Sequence, residues 1–191
     1  TSLDPQRLRF ALNDELPADI GVLSCERVNR RFHARHDATQ RSYLYQVSRR
    51  RTALGKPFVW WVKDALDAKR MAEAARVFEG LHDFASFADV RAGQEETRVK
   101  VESLPCVEAG SLILIRVVGS HFLWKMVRRM VGVLVEVGRG GLSPSDVRAL
   151  LEGPSDVPAP LTAPPSGLFL ESVSYDSDAR PETTFRPVLN L

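Results

Sequence analysis

The segment from Gly119 to Gly138 constrains the fold more than any other, because it combines a long apolar stripe with several charges. Its spacing predicts an amphipathic helix, since apolar residues recur at the 3.6-residue helical period. The core-facing stripe consists of Leu123, Met126, Val127, Met130, Leu134 and Val137. We expect the opposite side to be solvated, and it carries Lys125, Arg129 and Glu136.

Arg128 belongs to neither side of this predicted helix. Its neighbours four residues before it and three and seven residues after it are Trp124, Val131 and Val135. A guanidinium among apolar side chains needs an acceptor, because a buried unpaired charge is very costly. One interpretation is that Arg128 pairs with an internal carboxylate or extends to the surface. The other is that it binds a catalytic carboxylate or a phosphate.

Length and composition indicate one globular domain, or a domain with part of another. The chain has 191 residues, of which 44% are hydrophobic, enough to bury a core. No apolar run is long enough to span a bilayer and no charged-then-apolar leader opens the chain, so we expect a soluble, cytoplasmic protein. Cys25 and Cys106 are far apart in the sequence and lack the spacing of metal ligands. Two isolated thiols are typical of a reducing compartment, and a disulfide between them is the alternative.

Positive charge is concentrated in one stretch. Residues 26–56 hold nine basic and two acidic residues, a net +7, whereas the whole chain carries +2 and the rest therefore −5. Aromatic residues interleave with the arginines, namely Phe32, Tyr43 and Tyr45, which suits a polyanion whose bases can stack. We expect RNA contacts from Arg30, Arg31, Arg49, Arg50 and Arg51. The alternative is a solvated, arginine-rich face.

The order of predicted elements indicates an α+β domain with a mainly antiparallel sheet. One sheet face should carry helices and the other should be free to meet RNA, as in RNA-recognition folds. The predicted helices are Pro5–Leu16, a segment capped by Asp67, the Arg128 helix, and a segment capped by Ser143 with Asp146 reaching back. The predicted strands are Ile20–Val28, Arg41–Val47, Pro57–Val62, a hairpin of Arg98–Val107 and Leu112–Val118 turning near Gly110, and Leu168–Tyr175.

Several chemical signatures are absent from the sequence. It contains no GxxxxGK[ST] phosphate loop, no dinucleotide fingerprint in a strand-to-helix context and no GxSxG nucleophile elbow. His33 and His36 are spaced as HxxH, but no third ligand accompanies them. We therefore expect no metal site at these histidines.

Four ordered motifs remain, and together they resemble the tRNA pseudouridine synthase A family. They are F-H-A-R…A-T…R-x-Y-x-Y in residues 32–45, D-F-x-S-F in 83–87, F-x-x-x-M-V-R-x-x-V-G in 122–132, and T-A-x-x-x-G-L-x-L in 162–170. The resemblance extends from about Leu12 to Tyr175. It implies a pseudouridine-synthase-like (RRM-like) α+β fold and an isomerase that converts uridines of the tRNA anticodon stem-loop (tRNA positions 38 to 40). It also implies tRNA as substrate, a homodimer, and no metal, membrane or cofactor.

The family's G-R-T-D-x-G-V-H motif, whose aspartate is the nucleophile, does not occur in these 191 residues, which begin at Thr1. The resemblance therefore implies that residues 1–56 are the end of an N-terminal half and residues 57–191 a complete C-terminal half. We expect the chain alone to be inactive. A non-catalytic RNA-binding domain, or one half of a split enzyme, are the alternatives.

The resemblance also implies roles for individual residues. Arg128 matches the arginine that keeps the catalytic carboxylate ionised, and Tyr43 matches the residue that stacks on the flipped uracil and assists proton removal. Arg35 and Arg41 match positions near the nucleotide phosphate. For Tyr43 the alternative is a packing role against Tyr45 in the core.

Overall fold

The computed structural model describes residues 3–89, 96–175 and 184–188. The chain divides into two compact units, residues 1–37 and residues 38–191. The predicted division after residue 56, into halves of a longer enzyme, stays a prediction. The helices are α1 (Pro5–Glu15), α2 (Ala68–Ala75), α3 (Met126–Arg139) and α4 (Pro144–Glu152). The strands are β1 (Ala38–Ser48), β2 (Trp60–Trp61), β3 (Gly80–Asp83), β4 (Arg98–Ser103), β5 (Cys106–Ala109), β6 (Leu112–Gly119) and β7 (Leu168–Tyr175).

The first unit contains α1, as predicted, but not the predicted strand Ile20–Val28. Asp4 caps α1 by accepting a hydrogen bond from the Arg7 backbone N–H. Residues 20–28 form no strand. Instead, the Asn13 side chain binds both the N–H and the C=O of Val22, at 2.7 and 3.0 Å. Alternation alone cannot form a strand, and no strand in the described part of the chain pairs with this segment.

The second unit is built on a seven-stranded sheet, which confirms the predicted α+β class. The strand order is β2-β1-β6-β4-β3, with β5 paired to β6 and β7 paired to β1. Every pair is antiparallel except β1 with β2. The predicted hairpin turns at Gly110, whose φ is +62°. Its first arm divides into β4 and β5 around Pro105, which has no N–H to donate to a ladder.

One predicted strand is shorter in the structure, and one strand of the structure was not predicted. The segment Pro57–Val62 forms only the short strand β2, because Lys56–Phe58 is a single 3₁₀ turn. Strand β3 was not predicted from the sequence. The Asp67 cap of α2, the Ser143–Asp146 capping box of α4 and strand β7 are confirmed.

One sheet face packs on the helices. Tyr45 and Val47 of β1 belong to the main core, together with apolar residues of α2 and α3 such as Met71, Met130 and Leu134. The helix α3 begins at Met126, later than the predicted start, because Lys125 adopts a left-handed conformation with φ +64°. Residues 120–125 therefore form a turn that leads from β6 into the helix.

The opposite face is not free, so the prediction of an open RNA-binding face is wrong for this unit. Leu44, Val59, Leu112 and Leu114 form a second apolar cluster on which Phe185 packs. The backbone N–H of Val188 donates to the Gln46 side chain at 2.7 Å. The reason lies in β6, whose residues are all buried, because a continuous apolar strand requires cover on both faces.

Candidate active site

The side chains of Arg41, Tyr43 and Tyr45 share one face of β1, because alternate residues of a strand point to the same side. The Tyr43 ring is half-buried and meets Phe122 edge-on, with ring centroids 5.2 Å apart. Tyr45 is fully buried and meets Trp60 edge-on at 6.4 Å. Tyr43 is therefore the tyrosine that a substrate can reach, and Tyr45 cannot stack on RNA bases as the interleaved pattern suggested.

The hydroxyl groups of the two tyrosines differ as well. The Tyr45 hydroxyl donates to the Pro164 carbonyl at 2.8 Å. Burial raises the pKa of Tyr45 far above its usual range, an effect that the nearby positive charge of Arg128 partly offsets. Tyr45 therefore stays protonated. The Tyr43 hydroxyl has no hydrogen-bond partner among the residues that the structure describes, which leaves it available to a substrate.

Tyr45→Phe is expected to lower the free energy of unfolding by about 1 kcal/mol, because it removes the hydrogen bond to Pro164 and leaves that half-buried carbonyl unpaired. Tyr43→Phe is the matched control and should change stability by less than about 0.5 kcal/mol. Urea unfolding followed by circular dichroism measures both values. Equal effects of the two substitutions would show that the Tyr43 hydroxyl also has a structural partner.

Arg128 is bound to the segment that follows α4. Its Nε donates to the Ala163 carbonyl at 2.6 Å, and the Ala163 N–H donates to the Arg128 carbonyl at 3.0 Å. One turn later, a Cβ on Gly132 would lie only 1.7 Å from the Leu161 carbonyl oxygen, so only glycine allows this approach. The M-V-R-x-x-V-G and T-A-x-x-x-G-L motifs therefore contact each other directly.

The surroundings of Arg128 correct one sequence inference. Its partner inside the protein is a backbone carbonyl at one nitrogen of the guanidinium. Within residues 3–89, 96–175 and 184–188, no carboxylate forms an ion pair with it. The interpretation in which Arg128 pairs with an internal carboxylate is thus unsupported by the described residues, and the two Nη groups are available for another acceptor.

Arg129 was expected to be solvated, and this prediction is wrong. Its Nη1 donates to the carbonyls of Ser86 and Ala88, and its Nε is buried without a partner in the described structure. Lys125 pairs with Asp89 at 2.6 Å. The helical periodicity did not indicate either contact, because only the tertiary fold places the turn of residues 84–89 over this side of α3.

That turn is the D-F-x-S-F motif, and its residues have structural partners. Asp83 accepts hydrogen bonds from the Ala85 N–H and the Thr97 hydroxyl, at 2.9 and 2.6 Å. Phe84 and Phe87 are fully buried, and both contact the Phe78 ring. The motif therefore supports the first turn of α3, on which Arg128 lies.

The other predicted substrate-binding residues lie in different environments. The Nη1 of Arg41 donates to the Ala38 and Ser120 carbonyls, at 2.7 Å each, so it fixes the turn that follows β6. Arg35, Arg30 and Arg31 are exposed in the first unit. The described geometry of the second unit brings Arg41, Tyr43 and Arg128 to one face of the sheet.

The three consecutive arginines after β1 have distinct surroundings. Arg49 pairs with Glu108 at 2.8 Å and donates to the Gly110 carbonyl at 2.7 Å. Arg50 is exposed. The Arg51 guanidinium lies over the Trp61 ring, 5.4 Å from its centroid. A run of like residues in the sequence thus contains one arginine paired with a carboxylate and two that face solvent or an aromatic ring.

A half-buried ion pair on the opposite sheet face was not predicted. Arg116 is only 5% exposed and binds Glu171 through two parallel hydrogen bonds of 2.7 and 2.6 Å. Glu171 also accepts from the Ser42 hydroxyl at 2.7 Å. A bulge between β1 and β7 occurs at this position, where Ser42 pairs with Ser172 and Tyr43 with Leu170. The isolated arginine in an otherwise apolar strand was the available signal.

The described residues show no cluster of metal ligands, no membrane-spanning helix and no disulfide. No group of three His, Cys, Asp or Glu side chains among them is placed to hold a metal ion. None of the described helices is both long and apolar enough to cross a membrane. Cys25 and Cys106 are free thiols, so the disulfide left open by the sequence is not formed.

Comparison with known proteins finds the same family by a family model and by individual relatives. Residues 74–176 match the family model described as tRNA pseudouridine synthase. The chain is 40% identical over 180 residues to tRNA pseudouridine synthase A of Pseudothermotoga lettingae, covering 91% of this chain and 72% of the relative. It is 42% identical over 166 residues to the protein of that name from Geobacter sulfurreducens, with 86% and 68% covered. The relative from Exiguobacterium sp. is 36% identical over 178 residues, with 92% and 72% covered.

Proposed function

The chain belongs to the tRNA pseudouridine synthase family, and from that premise we propose that it isomerises uridine to pseudouridine in tRNA. The observation that carries the proposal is the arrangement of Tyr43 and Arg128. Tyr43 is half-buried with an unengaged hydroxyl among the described residues, and Arg128 is fixed at one nitrogen by Ala163. Tyr45, next to Arg128, lies about 7 Å from Tyr43 along the strand.

The proposed reaction needs no group beyond protein side chains. The bond between N1 of uracil and the ribose carbon C1′ breaks, the base turns, and C5 bonds to C1′. The proton on C5 leaves and N1 gains one, so the product is an isomer of the substrate. We propose that Arg128 keeps the catalytic carboxylate ionised by lowering its pKa, and that Tyr43 stacks on the uracil and assists loss of the C5 proton.

The finer assignments follow the family resemblance. We propose that the target uridines lie in the tRNA anticodon stem-loop, at positions 38 to 40. Arg35 and Arg41 are proposed to lie near the phosphate of the target nucleotide, and the carbonyl partners of Arg41 would orient its guanidinium. A homodimer in the cytoplasm completes the proposal. The name shared by the relatives favours catalysis over a purely RNA-binding role.

The direct test is tritium release from tRNA labelled at C5 of uridine. The 191 residues joined behind a segment with the G-R-T-D-x-G-V-H motif should release tritium and form pseudouridine in the anticodon stem-loop. The 191 residues alone should bind tRNA without turnover, because no described residue supplies a carboxylate to Arg128. Turnover by these residues alone would mean that another carboxylate is the nucleophile. If the joined form showed no turnover and no tRNA binding, the proposed function would be refuted.

We also propose that tRNA phosphates are contacted by Arg30, Arg31, Arg49, Arg50 and Arg51. Changing Arg50 and Arg51 together to Gln should flatten the slope of log affinity against log salt by just under 2, since each phosphate contact releases counterions. Arg49→Gln should flatten the slope less than Arg50→Gln or Arg51→Gln alone, because Arg49 already pairs with Glu108.

The exposed Arg148 on α4 provides the matched loss of charge. Arg148→Gln should leave the slope unchanged in the same salt titration, measured by fluorescence anisotropy with labelled tRNA. An unchanged slope for the Arg50 and Arg51 double variant would show that this run is a solvated face.

A further inference from the structure

A groove lies at the end of β1, away from Tyr43. Its walls come from the residues that follow β1, from β2, and from the segment that contains Ala163. The lining includes Arg51, Lys56, Trp60, Trp61 and Ser166, and the cavity volume is about 730 Å³. This volume is within the range of pockets that enclose a small ligand.

The chemistry of the groove is cationic and aromatic. Its lining contains two cations, Arg51 and Lys56, and no carboxylate. The Arg51 guanidinium lies 5.4 Å from the centroid of the Trp61 ring, and 38% of the Trp61 surface is exposed. An exposed indole beside an arginine is the combination that stacks on nucleic-acid bases while a cation pairs with the phosphate.

The position of the groove separates it from the proposed catalytic residues. Trp60 pairs with Val47, four residues along β1 from Tyr43, which corresponds to about 13 Å. One segment of chain borders both places, since Ala163 binds Arg128 and Ser166 lines the groove. Gly167, with φ +97°, brings this segment against β1 and β2, because a Cβ there would lie 2.8 Å from the Gln46 carbonyl oxygen and 3.1 Å from the Trp60 nitrogen.

We propose that this groove binds one unpaired nucleotide of the tRNA, distinct from the target uridine. Its base stacks on Trp61 and its phosphate pairs with Arg51 and Lys56. The inference rests on the proposed function for the identity of the RNA. Trp61 pairs with Ser48, five residues along β1 from Tyr43, and this separation of about 16 Å prevents a single base from contacting both Tyr43 and Trp61. A neutral or basic partner would leave the two cations of the lining without a matching charge, and an acidic side chain has no ring to stack on the indole, whereas a nucleotide satisfies both the cations and the indole.

The experiment compares two RNA probes with the 191-residue chain. One is an anticodon hairpin with a single-stranded loop, and the other is a blunt duplex with the same number of phosphates. Trp61→Ala should weaken hairpin binding roughly tenfold without changing its salt slope, because stacking involves no counterion release. It should leave duplex binding unchanged. Trp61→Phe keeps an aromatic face and should bind the hairpin within about threefold of the wild type.

Arg51→Gln tests the phosphate contact. It should flatten the salt slope for the hairpin by about 0.7, the value for one phosphate of a single strand. Arg148→Gln removes the same charge from α4 and should leave hairpin affinity and slope unchanged. Circular dichroism verifies the fold of each variant, and Trp61→Phe keeps the test valid if Trp61→Ala does not fold.

The outcomes separate this inference from the proposed function. Wild-type affinity of Trp61→Ala for the hairpin would overturn the groove assignment while leaving tRNA modification intact. Equal weakening for hairpin and duplex would also overturn it, because a stacked unpaired base is absent from the duplex. Loss of a dimer on Trp61→Ala, seen by sedimentation without RNA, would assign the groove to a second copy of the chain. A wild-type chain that binds neither probe would remove the proposed function as well.

Discussion

Arg128→Ala is expected to reduce kcat about 1,000-fold in a form of the enzyme that converts tRNA uridine, while the Kd for tRNA stays within about threefold. The physical reason is the role proposed for Arg128, because without it the catalytic carboxylate would lose the cation that keeps it ionised and oriented. Single-turnover tritium release and tRNA binding measure the two quantities separately. A large loss of tRNA affinity with unchanged kcat would show that Arg128 contacts the RNA backbone instead.

Arg128→Lys should restore little activity. The Arg128 guanidinium binds the Ala163 carbonyl through Nε and keeps two further nitrogens for a carboxylate. A lysine has a single ammonium nitrogen, which cannot hold that carbonyl and also give two parallel hydrogen bonds to a carboxylate. Arg129→Met is the adjacent control. It should lower the free energy of unfolding by about 2 kcal/mol, because the Ser86 and Ala88 carbonyls lose a charged donor, whereas kcat of the folded enzyme should change far less than with Arg128→Ala.

Tyr43→Phe is expected to lower kcat about 100-fold or more, because general acid–base groups contribute about 100- to 10,000-fold. Phenylalanine preserves the edge-on contact with Phe122 and the stacking surface but lacks the hydroxyl. The folded protein should unfold at the same denaturant concentration as the wild type.

Tyr45→Phe provides the opposite pattern, with lower stability and kcat close to the wild-type value. The two tyrosines are chemically identical and two residues apart on one strand face, so only their surroundings can separate the effects. Wild-type turnover by Tyr43→Phe would assign Tyr43 a stacking role alone and would leave proton removal to another group.

Elements with local signals were predicted well from the sequence. The Ser143–Asp146 capping box, the Asp67 cap, the turn at Gly110 and strand β7 each depend on residues close together in the chain. The segment Ile20–Val28 has the alternation of a strand and is not one. A strand requires a neighbour to complete its hydrogen bonds, and the sequence pattern of one segment does not show whether that neighbour is present.

The charged residues of the candidate site illustrate the same division. The position of Arg128 within an apolar pattern identified it as exceptional, because an arginine there must find an acceptor. The helical periodicity could not show that the Arg128 guanidinium donates to the Ala163 carbonyl, 35 residues later. It also assigned Arg129 to solvent, since periodicity within one helix carries no information about a turn packed over it from another part of the chain.

The sequence alone determined the α+β class, the family resemblance and the candidates Tyr43 and Arg128, because side-chain periodicity and motif order are properties of the chain itself. The tertiary structure decided which tyrosine is accessible, which of the arginines already have partners, and which sheet face is covered by residues 184–188. Those outcomes depend on contacts between residues far apart in the sequence. Local propensity and spacing do not encode them, and the free energy of packing and hydrogen bonding selects them only when the whole unit folds.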